Sequence, residues 1–292
     1  MSIIVYIFVT ISILIFYYLI FILRHDVLSY VLPEKLFLFI HSLQGKNEIV
    51  SIKEEFDTDM NINKEETDTI PNIFVQTMKS MKTTKRHYEK IKSFKKYHPG
   101  FSHYIFDDKK MEEFMLSREE KISTSFSKLT QGAMKADLFR LVYLYEYGGY
   151  YFDADSYISS KLPVKSDDDL LIFRVDTHVI QWSIICKKKH PIIKKAIEIS
   201  CNNILNDNPI IDRRYPEPKA AGYAGPVVLG HAIEKTIGFN IKNDIDMEIP
   251  KETNRRIRIV NLKNEKGIHH KYAGYEADMI IMNQKRWKSN KM

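Results

Sequence analysis

The sequence predicts an α/β fold, with a largely parallel sheet flanked by helices, carried behind an N-terminal transmembrane helix. From Ile70 onward, short apolar runs alternate with helix-compatible stretches, which is typical of α/β domains. Ile3 to Leu23 is apolar and carries no charged residue, and the stretch between these two parts is polar and acid-rich. We therefore divide the chain into a transmembrane anchor (1–25), a juxtamembrane amphipathic segment (26–45), an acidic linker (46–69) and a folded domain (70–292).

The anchor prediction rests on the length and composition of the first apolar run. A helix from Ile3 to Leu23 rises about 1.5 Å per residue and spans about 30 Å, the thickness of a bilayer core. A cleaved signal peptide has a shorter apolar region and small residues at its cleavage site, which Leu23 to Asp26 does not provide. Arg24 and Lys35 follow the run and no basic residue precedes it, a weak bias toward a cytosolic domain.

The segments after the anchor differ in character. Pro33 to Leu43 has the pattern of a short amphipathic helix, which either lies on the membrane surface or packs as an ordinary core helix. The residues that follow, up to Thr69, are polar and rich in Asp and Glu, so we expect a partly disordered stem.

The overall composition excludes some classes of function. The formal net charge is +7, but the basic residues are scattered along the chain, so we expect no nucleic-acid partner. Cys186 and Cys201 do not have the spacing of a zinc site. They could form one disulfide, but we expect two buried thiols.

The folded domain shows a recognisable order of elements. Its predicted strands are 73–75, 103–106, 150–152, 170–175, 179–186 and 256–260, and its predicted helices include 82–97, 109–116, 134–145 and 191–205. Ala220 to Gly225 is predicted to be a loop of small residues. The run Asp167-Asp168-Asp169 is predicted to be a solvated turn.

One segment carries more information than the rest. The residues of its apolar helix face are Met134, Leu138, Leu141, Val142 and Tyr145. Asp137 and Arg140 are three residues apart and lie together off that face. Gly148-Gly149 ends the helix, because glycine readily adopts positive φ, and an aromatic strand follows. Asp153-Ala154-Asp155 comes directly after this strand, at the end where ligands bind in open α/β sheets.

Two carboxylates in this position can hold a divalent cation. Side chains at i and i+2 of an extended segment point the same way, so Asp153 and Asp155 can address one ion. Mg²⁺ and Mn²⁺ take carboxylate oxygens as ligands and neutralise the negative charge of a leaving phosphate. An acidic pair of this kind also arises by chance, so its context decides its meaning.

The context resembles the sugar-binding DXD region of glycosyltransferase family 32, which includes fungal α-1,6-mannosyltransferases and inositol-phosphoceramide mannosyltransferases. The resemblance runs through Ala136 to Arg140 and Leu144 to Asp155. Further similarities follow in the family's order, in Ile70 to Thr77, Tyr97 to Phe101, Gly225-Pro226 and His269 to Tyr275.

The resemblance implies a GT-A type fold and a metal-dependent, anomer-retaining transfer of a hexose. The residues implied in catalysis are Asp153, Asp155 and Asp137, and those implied as ligands of Mn²⁺ (or Mg²⁺) are Asp153, Asp155 and His270. The residues implied in donor binding are Gln76, Thr77, Asp137, Arg140, Tyr151 and Gly225. For Tyr151 two roles stay open, stacking on the nucleobase or packing in the core. His270 is either a metal ligand or a surface histidine.

The resemblance also implies the partners and the compartment. The expected donor is GDP-mannose, with a UDP-sugar as the alternative. The expected acceptor is a glycan, glycoprotein or glycolipid. We expect a single-pass membrane protein of the Golgi or ER type, with its side of the membrane left open.

Departures from the family pattern keep two other functions open. Val75 stands where the family usually has His, and Met78 and Tyr275 stand where it usually has Trp. These changes allow a catalytically inactive, membrane-tethered sugar-binding relative. A nucleotidyl- or phosphotransferase could use the same acidic pair, but the chain has no Gly-x-x-x-x-Gly-Lys loop to hold a triphosphate.

Overall fold

The computed structural model describes residues 48–52, 56, 69–238, 247–249, 256–271 and 275–282. The predicted anchor, the juxtamembrane segment and most of the acidic linker lie outside these ranges. Within them, the helices are all too short or too polar to cross a membrane. The chain divides into two compact units, the larger of which comprises 51–81 and 90–270.

The described elements include those that the sequence predicts, in the predicted order, but Lys82–Thr84, which was expected to begin the helix 82–97, is a strand. The strands are β1 (Ile49–Ser51), β2 (Ile73–Thr77), β3 (Lys82–Thr84), β4 (Ser102–Phe106), β5 (Gly149–Phe152), β6 (Ser156–Ile158), β7 (Asp168–Val175), β8 (His178–Cys186), β9 (Met247–Ile249), β10 (Arg256–Asn261) and β11 (Ile268–His270). The helices are α1 (Lys85–Tyr97), α2 (Asp108–Leu116), α3 (Glu120–Lys128), α4 (Gly132–Tyr147), α5 (Pro191–Leu205), α6 (Pro218–Tyr223), α7 (Pro226–Ile237) and α8 (Tyr275–Ile281), and Leu262–Asn264 is a short 3₁₀ helix.

Within the described ranges of the larger unit, seven strands form a mixed sheet in the order β4-β2-β5-β8-β7-β10-β9. β2 pairs in parallel with both β4 and β5, and β7 pairs in parallel with β10. β8 is antiparallel to its neighbours β5 and β7, and β9 is antiparallel to β10. The remaining strands all run in one direction, which confirms the prediction of a largely parallel sheet flanked by helices.

Apolar side chains cover both faces of this sheet. On one face, α4, α5 and α7 pack in a core with Val75, Tyr151 and Ile172. On the other face, Tyr150 and Phe152 belong to a second core, formed with α1 and the β6–β11 pair. Successive residues of β5 therefore enter opposite cores, as the two-residue period of a strand requires.

The turn between α4 and β5 fixes where the acidic pair lies. The Gly148 N–H donates to the Leu144 carbonyl at 2.9 Å and ends the helix, and Gly148 and Gly149 have φ values of 69° and 101°. A Cβ on Gly149 would lie 2.7 Å from the Ile73 carbonyl oxygen. Glycine is thus needed for both the positive φ and the close approach to β2. The predicted helix stop is confirmed.

Two predictions on irregular segments were wrong. Ala220 to Tyr223 lies in α6, because Pro218 fixes the φ of a first helical turn, so only Ala224-Gly225 is a loop. Asp168 and Asp169 begin β7 and are only 1% and 4% exposed, whereas a solvated turn was expected. Cationic side chains from other elements neutralise these two carboxylates.

The Asp168 carboxylate illustrates this pairing. The Arg258 guanidinium donates through Nε to its Oδ1 at 2.7 Å and through Nη2 to its Oδ2 at 2.6 Å. Lys187 forms an ion pair with Asp169 in the same region. Ion pairs between distant segments cannot be predicted from three consecutive aspartates in the sequence.

We expect Asp168→Ala to lower the free energy of unfolding by about 3 to 5 kcal/mol, because it leaves the buried Arg258 without its partner. Urea unfolding of the full chain in detergent measures this loss. Asp167→Ala is the control, since its side chain is 53% exposed and solvent screens its pair with Arg256, which should contribute little to stability. Equal midpoints for the two variants would contradict the expectation.

Both cysteines are buried and free, as the sequence predicts. In the smaller unit, Arg86 forms a forked ion pair with Asp278, whose side chain is fully buried. This pair holds α8 against the start of α1 within that unit.

Candidate active site

The predicted pair on α4 is an ion pair at the sheet edge. Arg140 is 4% exposed, and its Nη2 lies 3.0 Å from Asp137 Oδ1 and 3.0 Å from Asp153 Oδ1. Its Nη1 donates to the Gln181 carbonyl on β8 at 2.8 Å. One guanidinium therefore joins the helix edge, the acidic pair and the antiparallel strand. The fork geometry of Arg allows this, which the single ammonium of Lys would not.

The end of β5 is held by a chain of hydroxyl contacts. The Tyr151 hydroxyl donates to Asp153 Oδ1 at 2.8 Å, and Thr77 Oγ1 lies 3.1 Å from the same hydroxyl. Arg140 also lies over the Tyr151 ring, 4.6 Å from its centroid. The contacts of the Asp153 carboxylate with Arg140 and with the Tyr151 hydroxyl both involve Oδ1.

Asp155 and His270 meet through the small sheet formed by β6 and β11. His270 pairs with Ser156 across this antiparallel sheet, which places the imidazole beside the acidic pair. His270 Nε2 lies 3.2 Å from Asp155 Oδ1. The indole of Trp182 stacks on the His270 ring, with the centroids 4.3 Å apart and the planes at 10°. The orientation of the imidazole is thus fixed by an aromatic neighbour.

Asp153, Asp155 and His270 fit a divalent cation. Each offers one ligand atom, and these atoms all lie within 4.8 Å of one another. Neighbouring ligands of an octahedral ion with bonds of about 2.1 Å are about 3 Å apart, close to the spacing of the Asp155 and His270 atoms. The two carboxylates provide oxygen ligands of the kind that Mg²⁺ and Mn²⁺ take, and the imidazole adds a nitrogen ligand.

Burial affects the charges of the site. It raises the pKa of Asp137 to about 6, against the opposing effect of Arg140. Burial also raises the pKa of Asp153, again opposed by Arg140. Burial alone would lower the pKa of Arg140, but Asp153, Tyr151 and Asp137 together raise it. The guanidinium is therefore always charged, and it is the fixed positive charge of the site.

The structure places the other predicted donor-binding residues at varied depths. Gln76 is 1% exposed, and its Nε2 donates to the Asp153 carbonyl at 3.1 Å. The Tyr151 ring is fully buried, so of its two predicted roles the structure favours core packing. Thr77 is half-buried beside the Tyr151 hydroxyl. Gly225 is the N-cap of α7, and a Cβ on it would lie 2.8 Å from the backbone of Ala221.

Three residues of the site have no motif that identifies them in the sequence. His103 Nε2 lies 2.9 Å from Gln76 Oε1, so the imidazole orients the amide that holds Asp153. Gln181 donates through Nε2 to the Ala224 carbonyl at 2.9 Å, and Trp182 supports His270. All three lie on strands that the sequence predicts, but only strand pairing brings them to the site.

A protein-family model matches the part of the chain that contains the acidic pair. Residues 84–173 match the family model described as a glycosyltransferase sugar-binding region containing a DXD motif. This part of the chain is therefore similar to a glycosyltransferase sugar-binding region. The matched residues contain Asp137, Arg140, Asp153 and Asp155, and the family resemblance found in the sequence is thereby confirmed.

The chain is also similar to a curated protein. Over 86 residues the chain is 30% identical to inositol phosphoceramide mannosyltransferase 3 of Schizosaccharomyces pombe. The aligned part covers 30% of this chain and 24% of that protein, so the likeness spans about a quarter of the relative's length.

Two solved structures have a more distant likeness to the chain. One is described as PaToxG glycosyltransferase, with 18% identity, a TM-score of 0.44 and coverage of 58% of this chain and 70% of that one. The other is described as a transferase mutant, with 13% identity, a TM-score of 0.33 and coverage of 70% and 99%. Both TM-scores are below 0.5, so neither likeness bears on the function of this chain.

Proposed function

We propose that this protein is a metal-dependent, retaining glycosyltransferase of the GT-A type that transfers a hexose from a nucleotide sugar. The observation that carries the proposal is the convergence of Asp153, Asp155 and His270 beside the Asp137–Arg140 pair. This arrangement combines a cation site with a fixed positive charge at the end of a strand. The cation and the guanidinium can both stabilise the negative charge that a nucleoside diphosphate gains as it leaves the sugar.

Each group has a distinct part in the proposed reaction. Carboxylate oxygens of Asp153 and Asp155 and the imidazole of His270 would hold Mn²⁺, which when bound neutralises the charge of the diphosphate. Arg140 favours the ionised form of Asp153 and holds it in place, and Asp137 offers its carboxylate to hydroxyl groups of the donor sugar. Gln76, Thr77 and Tyr151 hold the strand end rigid, so the ligands keep their geometry through the reaction.

One relative supports a finer proposal for the donor. The curated relative is named a mannosyltransferase, which favours GDP-mannose over a UDP-sugar as the donor. Retention of the anomeric configuration follows from the family resemblance. A glycan, glycoprotein or glycolipid acceptor on a Golgi or ER type membrane fits the apolar run at Ile3 to Leu23, which would anchor the enzyme there.

A thermal-shift screen of the full chain in detergent tests the donor. With Mn²⁺ present, GDP-mannose at about 100 times its Kd should raise Tm by roughly 5 to 10 °C, because ligand binding stabilises the folded state. UDP-galactose and UDP-N-acetylglucosamine serve as the competing donors, and each is repeated with EDTA. A larger rise in Tm with a UDP-sugar would mean that this UDP-sugar, not GDP-mannose, is the donor. Stabilisation without turnover would point to an inactive sugar-binding relative.

A further inference from the structure

A cavity of about 290 Å³ lies where the β7–β8 hairpin meets the first turns of α7. We call it the hairpin cavity. Its lining includes Thr177 and Val179 of the hairpin, the connecting residues Ile210, Ile211, Asp212, Arg214 and Tyr215, and Val227, Gly230 and Glu234 of α7. None of the residues assigned to the cation site or to the donor belongs to this lining.

The hairpin cavity shares a wall with the candidate active site. Val179 and Gln181 are two residues apart on β8, so they lie about 7 Å apart on the same face. The Gln181 carbonyl accepts from Arg140, and its side chain donates to the Ala224 carbonyl, just before α7 begins. The cavity therefore lies beside the segment of β8 that contacts Arg140.

The charge of the cavity disfavours a phosphate ligand. Asp212 accepts from Arg214 Nε at 2.9 Å and 3.0 Å through its two oxygens, so this guanidinium is already paired. Glu234 adds a further carboxylate to the lining. His231 also lines the cavity, and with this histidine neutral the two carboxylates outnumber the one guanidinium, so the lining is slightly negative although the whole chain has a net charge of +7. An anionic diphosphate would be repelled there.

The remaining lining suits a neutral ring that carries hydroxyl groups. Val179 and Val227 are 3% and 4% exposed and form an apolar floor. The Tyr215 hydroxyl donates to the Val179 carbonyl, which holds the Tyr215 ring across the cavity. Carboxylates and a guanidinium around an apolar floor provide both donors and acceptors for hydroxyl groups, and few polar groups suffice to orient a small ligand.

We propose that the hairpin cavity is the acceptor subsite and binds a neutral polyhydroxylated ring, either a sugar of a glycan or an inositol of a lipid headgroup. The proposal rests on the proposed function. A hydroxyl oxygen of the bound ring forms a bond to the anomeric carbon of the donor sugar, while the bond from that carbon to the diphosphate breaks. The nucleoside diphosphate leaves with the electron pair of that bond, and the hydroxyl proton passes to it or to solvent.

Gly230 offers a way to fill the cavity without disturbing the active site. A Cβ at this position meets no described atom within 4 Å, and the residue lies inside α7, so a larger side chain can grow into the open space. Gly230→Trp fills the cavity, and Gly230→Ala is the matched control that leaves it open. Arg214→Ala is a second variant, which removes a polar contact at an exposed position in case the tryptophan variant does not fold.

The experiment separates transfer from donor hydrolysis. The full chain in detergent receives Mn²⁺, GDP-mannose, and either methyl α-mannoside or myo-inositol as acceptor. We expect Gly230→Trp to lower kcat/KM for transfer at least about tenfold, with hydrolysis of the donor in water unchanged. Arg214→Ala should raise the KM for the acceptor, and Gly230→Ala should match the wild type. Transfer to methyl α-mannoside would indicate a sugar of a glycan, and transfer to myo-inositol would indicate a lipid headgroup.

Other outcomes would overturn the acceptor subsite. If Gly230→Trp leaves transfer unchanged, or if transfer and hydrolysis fall together, the cavity does not bind the acceptor. If the wild type turns over no donor, the proposed function fails, and saturation-transfer NMR with the same two polyols then tests the cavity alone. Binding by the wild type that is lost in Gly230→Trp supports the subsite, and equal or absent binding refutes it.

Discussion

We expect Asp155→Asn to lower donor turnover by about three orders of magnitude while the protein stays folded. The substitution keeps the size of the side chain and removes one anionic ligand beside His270. A cation that stabilises the departing diphosphate lowers the activation barrier by several kcal/mol, and each 1.36 kcal/mol is a factor of ten in rate. Nucleotide release from GDP-mannose with saturating Mn²⁺ measures the loss.

Asp167→Asn is the matched control for this prediction. It makes the same chemical change at a side chain that is 53% exposed and that contacts Arg256, not the site. Its turnover should equal that of the wild type. Unchanged turnover in Asp155→Asn would show that the acidic pair does not hold the catalytic cation.

Arg140→Met should have the second large effect, on stability and activity together. The substitution keeps an apolar stem of similar length but leaves Asp137 and Asp153 facing each other without the guanidinium between them. Removing one partner of a buried ion pair costs about 3 to 5 kcal/mol. Urea unfolding in detergent should therefore show a lower midpoint, and turnover should fall as well.

A double variant distinguishes the two roles of Arg140. Arg140→Met with Asp137→Asn removes both the guanidinium and one carboxylate, so it should regain part of the stability without regaining turnover. Arg140→Lys keeps the charge but cannot donate to Asp137, Asp153 and the Gln181 carbonyl at once. A single variant Arg140→Met that unfolds at the wild-type midpoint would refute this account of the pair.

The elements that were predicted correctly are those that depend on local chemistry. The stop of α4 follows from two glycines at positive φ, and α5 begins at the proline that the sequence marks. The Asp107 side chain caps α2 by accepting from the Lys110 N–H at 2.9 Å. The acidic pair at the end of β5 was placed correctly because a strand end follows directly from the helix stop.

The features that the sequence could not predict depend on contacts between distant segments. Asp168 was expected to be solvated because its partner Arg258 lies 90 positions away. Trp182 and His103 support the site only because β8 and β4 pair into the same sheet as β5. The contacts of Gln76 were also not predictable, since its amide reaches the Asp153 carbonyl and the His103 ring only in the folded sheet.

Direct binding of Mn²⁺ is the sharpest test of the central claim. Electron paramagnetic resonance of free Mn²⁺, titrated with the full chain in detergent, counts the ions that the protein takes up. The account predicts one site in the wild type and in Asp167→Asn, tightened by GDP, and a large loss of affinity in Asp155→Asn. Equal Mn²⁺ binding by the wild type and Asp155→Asn would contradict it.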